Sequence, residues 1–391
     1  LQDLITTYHY RIKDSGKANR VLSQMSRSVN MVWNFCKQTQ QEALKNKSVK
    51  LIDDKKSGDK ISIPYFLTKF EMNNLVSGSS KELELHSQTV QFVSEEYITR
   101  RKQFKTLLRW RGKKSLGWVP FKSSAIKINN GKISYNKNEF SFWNSRELPE
   151  DAKIKTGSFC QDKIGHWYLN VSFESEQIGI KRDDDKKIGI DIGIKTLATC
   201  SNGEKIERPN LRKNALAKMR YLKRCQKFAQ RKQSKSKKYH SLPKAKQERK
   251  LHVKVANIRQ DYLHKESTKL VKKCSLIVVG DVPCKFMNRN KKLSGISLDS
   301  GIGMFKNMLK YKAVRAASIY KEISERDSTR TCSKCSEILP RIGLGVRTWT
   351  CEKCNTIHDR DVNASINILN AYKNMFPIGH DRPTRTKKNS S

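Results

Sequence analysis

The chain opens on an alternating run, Thr6-Thr-Tyr-His-Tyr-Arg11, whose period of two predicts a strand. From Val21 the period changes. Val21, Leu22, Met25, Val29, Val32 and Trp33 recur at helix-compatible spacing and predict an amphipathic helix. Residues 46–64 are rich in Lys, Ser, Asp and Gly and read as a loop, and a second helical stretch covers about 82–110. From Trp118 to about Ser175 the alternation returns in short pieces, 126–128, 132–135, 139–142 and 167–173, separated by Asn-Gly and Asp-Lys turns. This predicts a small antiparallel barrel or sheet.

A polar linker, Lys181-Arg-Asp-Asp-Asp-Lys-Lys187, precedes a region of mixed α/β order. Ile188-Gly-Ile-Asp-Ile192 and Thr196-Leu-Ala-Thr-Cys-Ser201 predict hairpin strands, with a turn at Asn202-Gly203. A long helical region spans 211–273, broken into a hairpin at Ser234-Lys-Ser-Lys-Lys238, and Ser275-Leu-Ile-Val-Val279 suits a buried strand. No run of about 18 apolar residues occurs, which excludes a membrane-spanning helix. The first twenty residues mix charge and polarity without the apolar core of a secretory signal, so a cytoplasmic protein is expected, nucleoid-associated when bound to DNA.

Charge changes the picture most. The 391 residues carry 80 Lys+Arg against 37 Asp+Glu, a net +43 that would repel itself without a polyanion to neutralise it. Six Trp, fourteen Phe and twelve Tyr argue against a disordered basic chain, so the natural partner is nucleic acid held in a salt-dependent way. Two basic stretches stand out. One is Arg100, Arg101, Lys105, Arg109 and Arg111 with Trp110 interleaved, a pattern suited to phosphate contact and base stacking. The other is 211–254, with 17 Lys+Arg among 44 residues and a single acid, Glu248. Like charges at that density destabilise a lone helix, and a phosphate backbone laid across Arg220, Lys223, Arg224 and Lys227 would remove the repulsion.

Four of the ten cysteines form two pairs, Cys332-Ser-Lys-Cys335 and Cys351-Glu-Lys-Cys354, fifteen residues apart. Each Cys-x-x-Cys turn presents two thiolates, and two such turns close a tetrahedral zinc with no open position, so a structural zinc is expected. The other six are scattered singly and read as reduced packing residues. A second chemical signal lies in carboxylates. Asp191 sits inside an apolar strand, where a charge is costly unless a metal pairs with it. Asp361 stands at a helix start in His358-Asp-Arg-Asp-Val-Asn-Ala364, where Asp359 or Asp361 could equally be an N-cap. Two such carboxylates and a third would build a two-metal phosphodiesterase centre.

Together, Gly189-Ile-Asp-Ile-Gly193, the strand at 276–279, Thr329-Arg-Thr-Cys332 through Cys354, and Asp359-Arg-Asp-Val-Asn-Ala364 resemble the TnpB (OrfB) family of transposon-encoded RNA-guided nucleases, relatives of type V CRISPR effectors. The specific motifs lie between about 187 and 369. The resemblance implies a multidomain α+β protein: a wedge β-barrel from 1–20 and 118–180, with a helical recognition lobe at 21–117. It implies a RuvC-like nuclease of the RNase H fold from 187–328 and 358–375, carrying the basic helical hairpin 211–254. A zinc ribbon occupies 329–357, and a basic tail 376–391 is expected to lack fixed structure. It implies a guide RNA from the transposon end, double-stranded DNA as target, a short transposon-adjacent motif, and magnesium as catalytic cofactor beside the structural zinc.

By the same resemblance, Asp191 is the first catalytic carboxylate and Asp361 the last. The middle one departs from the family pattern, because the usual Glu-Asp after the apolar strand reads Gly280-Asp281 here. Glu325, on an expected strand with Ile319 and Ile323 at the same parity, is the preferred replacement and a position used by some members of the family. Asp281, one residue along and shorter, is the alternative. The lost glutamate also motivates a rival reading, a nuclease-dead RNA-guided repressor. Two further rivals are a transposase acting on DNA ends and an accessory zinc-ribbon nucleic-acid-binding protein. The last leaves the buried Asp191 unexplained.

Overall fold

The structure is a computed structural model of the chain. It describes residues 4–46, 49–53, 60–112, 115–175, 179–233, 245–281, 294–340, 343 and 345–375. The break expected at 234–238, Cys284 and the tail 376–391 lie outside them. The chain divides into two units, Leu1–Gln177 and Ile178–Ser391.

In the first unit β1 (Leu4–Arg11) leads into α1 (Gly16–Lys45), capped where Ser15 Oγ accepts from the Ala18 N–H. Leu22, Met25, Val29, Val32 and Trp33 are buried, as the spacing requires. The expected loop at 46–64 is instead a hairpin of β2 (Val49–Asp53) and β3 (Lys60–Pro64); Lys and Asp at its centre masked two short strands. α2 (Lys69–Val76) starts on a capping box between Thr68 and Glu71. The second helical stretch is shorter than its charge pattern suggests: α3 (Ser87–Phe104) stops where Lys105 turns left-handed, φ 51°.

Six strands lie between Trp118 and Ser175. β4 (Trp118–Lys122), β8 (Lys153–Gln161) and β9 (Trp167–Ser175) join β1 in an antiparallel sheet of order β1-β9-β8-β4. β5 (Ile126–Asn129), β6 (Lys132–Tyr135) and β7 (Asn138–Ser141) form a separate meander. Asn130 and Gly131, both at positive φ, supply the β5–β6 turn. Phe121, Tyr135, Phe140 and Phe159 pack rings 5.3–5.9 Å apart between the two sheets. Among the described residues the barrel is not closed. A 3₁₀ turn at Ser123–Ala125 separates β4 from β5 without a ladder between them, and only the bridge Ile12–Phe142 ties the meander to the end of β1.

The second unit is built on a mixed five-stranded sheet of order β12-β11-β10-β13-β14. Its strands are β10 (Lys186–Asp191), β11 (Thr196–Cys200), β12 (Lys205–Glu207), β13 (Cys274–Gly280) and β14 (Ile319–Ile323). β10, β13 and β14 run parallel, while β11 and β12 are antiparallel to their neighbours. The helices are α4 (Leu211–Gln233), α5 (Ala245–Lys273), α6 (Ser294–Ser300), α7 (Ile302–Arg315) and α8 (Arg360–Met375).

The apolar run in β13 is buried on both faces. Ile277 and Val279 pack with Leu263, Leu270, Phe305 and Leu309 of α5 and α7, whereas Leu276 and Val278 pack with Ile368, Leu369 and Tyr372 of α8. Each such side chain contributes about 1.5–3 kcal/mol when taken out of water. α8 lies so close to β10 that a Cβ on Gly189 would run into the Ser365 carbonyl. That approach sets the first turn of α8 against the end of β10. Between β14 and α8 lie two knuckles and a short pair, β15 (Thr348–Thr350) with β16 (Ile357–Asp359). Among the described residues no helix is long and apolar enough to cross a membrane.

Candidate active site and cysteine cluster

The parallel strands end on one edge of the sheet, and the carboxylates gather there. Asp191 is the last residue of β10, and Asp361 lies in the first turn of α8. Burial raises the Asp191 carboxyl most, the charges of Glu325 and Asp361 add to it, and Arg360 and Arg347 oppose; the balance pushes it up to about 7. Three carboxylates therefore share one electrostatic neighbourhood. Arg347 reaches Asp361 at 3.2 Å. The N-cap question at the helix start is also resolved. Asp359 Oδ1 accepts from the N–H groups of Asp361 and Val362, at 3.0 and 3.1 Å, so Asp359 is the cap and Asp361 is released from that duty. Burial raises the Asp359 carboxyl, but Lys205 at 2.8 Å and the two N–H donors outweigh it and hold it low.

The middle position differs in detail from the sequence expectation. β14 stops at Ile323, so Glu325 lies two residues beyond the strand rather than on it. It is half-buried, and burial raises its carboxyl against the opposing charge of Lys306. A Cβ built on Gly280 would lie 3.0 Å from Glu325 Oε2 and 3.4 Å from its Cβ. The glutamate from the neighbouring strand end thus fills the space into which a side chain at 280 would project. Asp281 has turned away: its side chain is 68% exposed, and its partner is Lys306 at 3.6 Å, which binds Glu322 more closely at 2.6 Å. Lys306, buried on α7, carried no signal in the sequence.

The four cysteines meet as their spacing predicts. Their sulfurs all lie within 4.8 Å of one another, with Cys332–Cys354 and Cys335–Cys351 at 3.6 Å. A tetrahedral zinc with Zn–S of about 2.3 Å requires sulfurs about 3.8 Å apart, so the set fits. Both knuckles have one design. Ser336 N–H donates to the Cys332 carbonyl and Asn355 N–H to that of Cys351, and Ser336 and Asn355 are left-handed at φ 62° and 54°. Buried His358, missed as a site residue, shares a 3.1 Å hydrogen bond through Nε2 with Cys332 Sγ.

The basic residues divide. On α4, Arg220, Lys223, Arg224 and Lys227 are all exposed while Met219 and Leu222 are buried, which leaves a cationic face. In the first unit Arg100, Lys105, Arg109 and Trp110 are exposed, with Lys37 Nζ 4.5 Å over the Trp110 ring. Arg101 is a correction. It is 4% exposed, donates to Gln40 Oε1 and the Leu67 carbonyl, and serves the fold rather than a surface contact. Arg111 is half-buried between Trp33 and Trp118 and donates to Asn30 and the Leu116 carbonyl. Sequence spacing could not separate these two from their exposed neighbours.

Comparison with known proteins bears on the same segments. Residues 170–291 match the family model OrfB_IS605, described as “Probable transposase”, and residues 303–368 match the Cas12f1-like TNB domain. A Streptomyces pristinaespiralis protein named as a proposed RNA-guided DNA endonuclease is 32% identical over 269 residues, 66% of this chain and 63% of the relative. Its Escherichia coli K12 counterpart, InsQ, named in the same way, is 28% identical over 255 residues, 60% of each chain. The chain thus spans less than two thirds of the length of these curated relatives. The fold is similar to Cas12f1 in a solved complex with sgRNA and target DNA, with a TM-score of 0.58, 13% identity, and coverage of 95% of this chain and 99% of the other. Over residues 170–291 the chain is thus similar to the OrfB (TnpB) family, and over residues 303–368 to the Cas12f1-like TNB domain.

Proposed function

We propose that the chain is an RNA-guided DNA endonuclease of RuvC type that cuts target DNA beside a short transposon-adjacent motif. Asp191, Glu325 and Asp361 would be its catalytic carboxylates and magnesium its cofactor. The observation that carries this reading is the Glu325 carboxylate standing where a side chain at 280 would reach, within the field of Asp191. The sheet supports it too: an antiparallel hairpin followed by parallel strands in the order β12-β11-β10-β13-β14 is the arrangement of RNase H-like nucleases.

Held by these carboxylates, magnesium would supply an activated water and charge stabilisation at the leaving 3′ oxygen. Asp191 must give up its proton to act as a ligand, and Arg347 and Arg360 ease that loss. Lys306 favours the ionised form of Glu325 from the other side. Lys205, Arg347 and Arg360 leave a cationic rim that would draw a phosphodiester towards the acids. The four cysteines would hold a structural zinc, closed to substrate. Sequence choice would pass to pairing between the target and a guide RNA from the transposon end, with exposed basic faces such as that of α4 holding phosphates.

The test begins with sequencing the RNA that co-purifies with the chain and measuring cleavage of DNA matched to it. Glu325→Gln should abolish Mg²⁺-dependent cutting and leave guided binding intact, and Asp281→Asn should cost much less. Cutting that survives Glu325→Gln but fails with Asp281→Asn reverses the assignment. A guided target that is bound but never cut, in Mg²⁺ or Mn²⁺, favours the repressor reading.

A further inference from the structure

A buried polar network joins the cysteine cluster to the carboxylates, and its centre is a residue with no role assigned so far. Asn363 lies in α8 two residues beyond Asp361 and is 1% exposed. Its Oδ1 accepts from the Ser333 N–H at 2.9 Å, inside the first cysteine knuckle. Its Nδ2 donates to the Thr331 carbonyl at 2.8 Å and the Ser328 carbonyl at 3.4 Å. Asn367, one turn along the same helix, donates to the same two carbonyls at 2.6 and 2.8 Å. Ser328 in turn grips Glu325: its N–H and its hydroxyl both donate to the Glu325 carbonyl, at 3.1 and 2.8 Å.

We propose that Asn363 is a positioning residue that fastens both the first cysteine knuckle and the Glu325 loop to the helix carrying Asp361. The proposal rests on the reading of Glu325 as a metal ligand. Glu325 lies past the end of its strand, so the sheet ladder no longer fixes its backbone. A carboxylate supplied from such a loop needs another anchor, and the described contacts provide one through Ser328. The same anchor reaches Thr331 and Ser333 on either side of Cys332, so a metal at the four cysteines would stiffen the loop that presents Glu325. His358 adds a second tie between the segment entering α8 and Cys332 Sγ. Groups that orient ligands from behind typically govern about 10–100-fold in metal affinity.

The test uses the full chain freed of RNA by nuclease and salt, with Mn²⁺ as probe. The readouts are the Mn²⁺ concentration that half-raises the melting temperature and the rate of zinc release to a chelator. Asn363→Asp keeps the size and the acceptor but replaces the donor, so it should raise the Mn²⁺ midpoint about tenfold and speed zinc release, with zinc content at purification unchanged. Glu325→Gln should raise the Mn²⁺ midpoint without changing zinc release. If Glu325→Gln leaves the midpoint unmoved, the assignment of Glu325 fails. If Glu325→Gln moves it and Asn363→Asp does not, the positioning role of Asn363 is overturned. Should Asn363→Asp fail to fold, Asn367→Ala removes the parallel donor to the same carbonyls and should give the same pair of changes at smaller size; no change in the midpoint then overturns the proposal.

Discussion

The cysteine cluster lies within the segment that joins Glu325 to Asp361, yet it and the carboxylate cluster are built on opposite plans. The cysteines come from two knuckles of the same local design, each closed by its own backbone hydrogen bonds and a left-handed residue. Their geometry follows from spacing. The carboxylates come from a strand end, a loop beyond a second strand and the first turn of a helix, and only the packing of the sheet against α8 brings them together. Locally encoded sites are easily read and easily broken by one ligand. Assembled sites tolerate relocation of a ligand, provided the new position reaches the same space.

The local side breaks most sharply. Cys332→Ser removes one of four ligands from a site of a kind worth about 10 kcal/mol or more in folding. Zinc measured by elemental analysis should fall from about one per chain to almost none, and the three remaining thiols should become open to alkylation.

The assembled side should respond in the opposite sense. Asp191 carries a folded pKa of about 7 against an ordinary 3.8, so the metal-free fold binds the proton more strongly than the unfolded chain. Stability therefore falls as pH rises from about 4 to about 7, and the penalty is complete above that range. Asp191→Asn removes the penalty. In metal-free buffer at pH 8 it should raise the melting temperature by several degrees, at about 2–4 °C per kcal/mol for a unit of this size, with little difference at pH 4. A lower melting temperature at pH 8 would mean that the buried Asp191 charge, beside Glu325 and Asp361, carries no such penalty.

A smaller contrast of the same kind separates the basic residues. Replacing exposed Arg220, Lys223, Arg224 and Lys227 with Gln should reduce the slope of log affinity for RNA against log salt by up to about 3, without altering melting. Arg101→Gln should leave that slope alone and cost about 1–3 kcal/mol of stability, through the lost donors to the Leu67 carbonyl and to Gln40 Oε1, which keeps only the Leu67 N–H. An equal salt effect from both would erase the distinction between surface and buried cations.

The same division explains what the sequence made legible. Period-two and helical stripes located β1, α1, β5 to β7, β9, β10, β11, β13 and β14, because each buries one face or both against neighbours that the pattern anticipates, whereas the three-residue strands β12, β15 and β16 were too short to show a period. The hairpin at β2 and β3 was missed because its charged, glycine-containing centre resembles a loop, and the open seam between β4 and β5 has no local signature. In the site, Cys332 to Cys354 were fixed by spacing, and Asp191 was marked by a charge in an apolar strand. The burial of Arg101, the capping role of Asp359 and the anchorage of Glu325 through Ser328 and Asn363 depend on contacts between distant segments. No window of sequence contains them.

The central claim is that Glu325 substitutes for a carboxylate that would otherwise stand at 280. Its most direct measurement is guided DNA cleavage by Glu325→Ala alone and combined with Gly280→Glu. The alanine removes the carboxylate from beside Gly280 and leaves two neighbours of the new Cβ: Ile368 Cδ1 at 3.1 Å, the movable end of a side chain, and the retained Cβ of residue 325 at 3.4 Å, an ordinary contact. The single variant should not cut, and the double variant should regain Mg²⁺-dependent cutting from the strand position. A Glu325→Ala chain that cuts at the unmodified rate would contradict the claim.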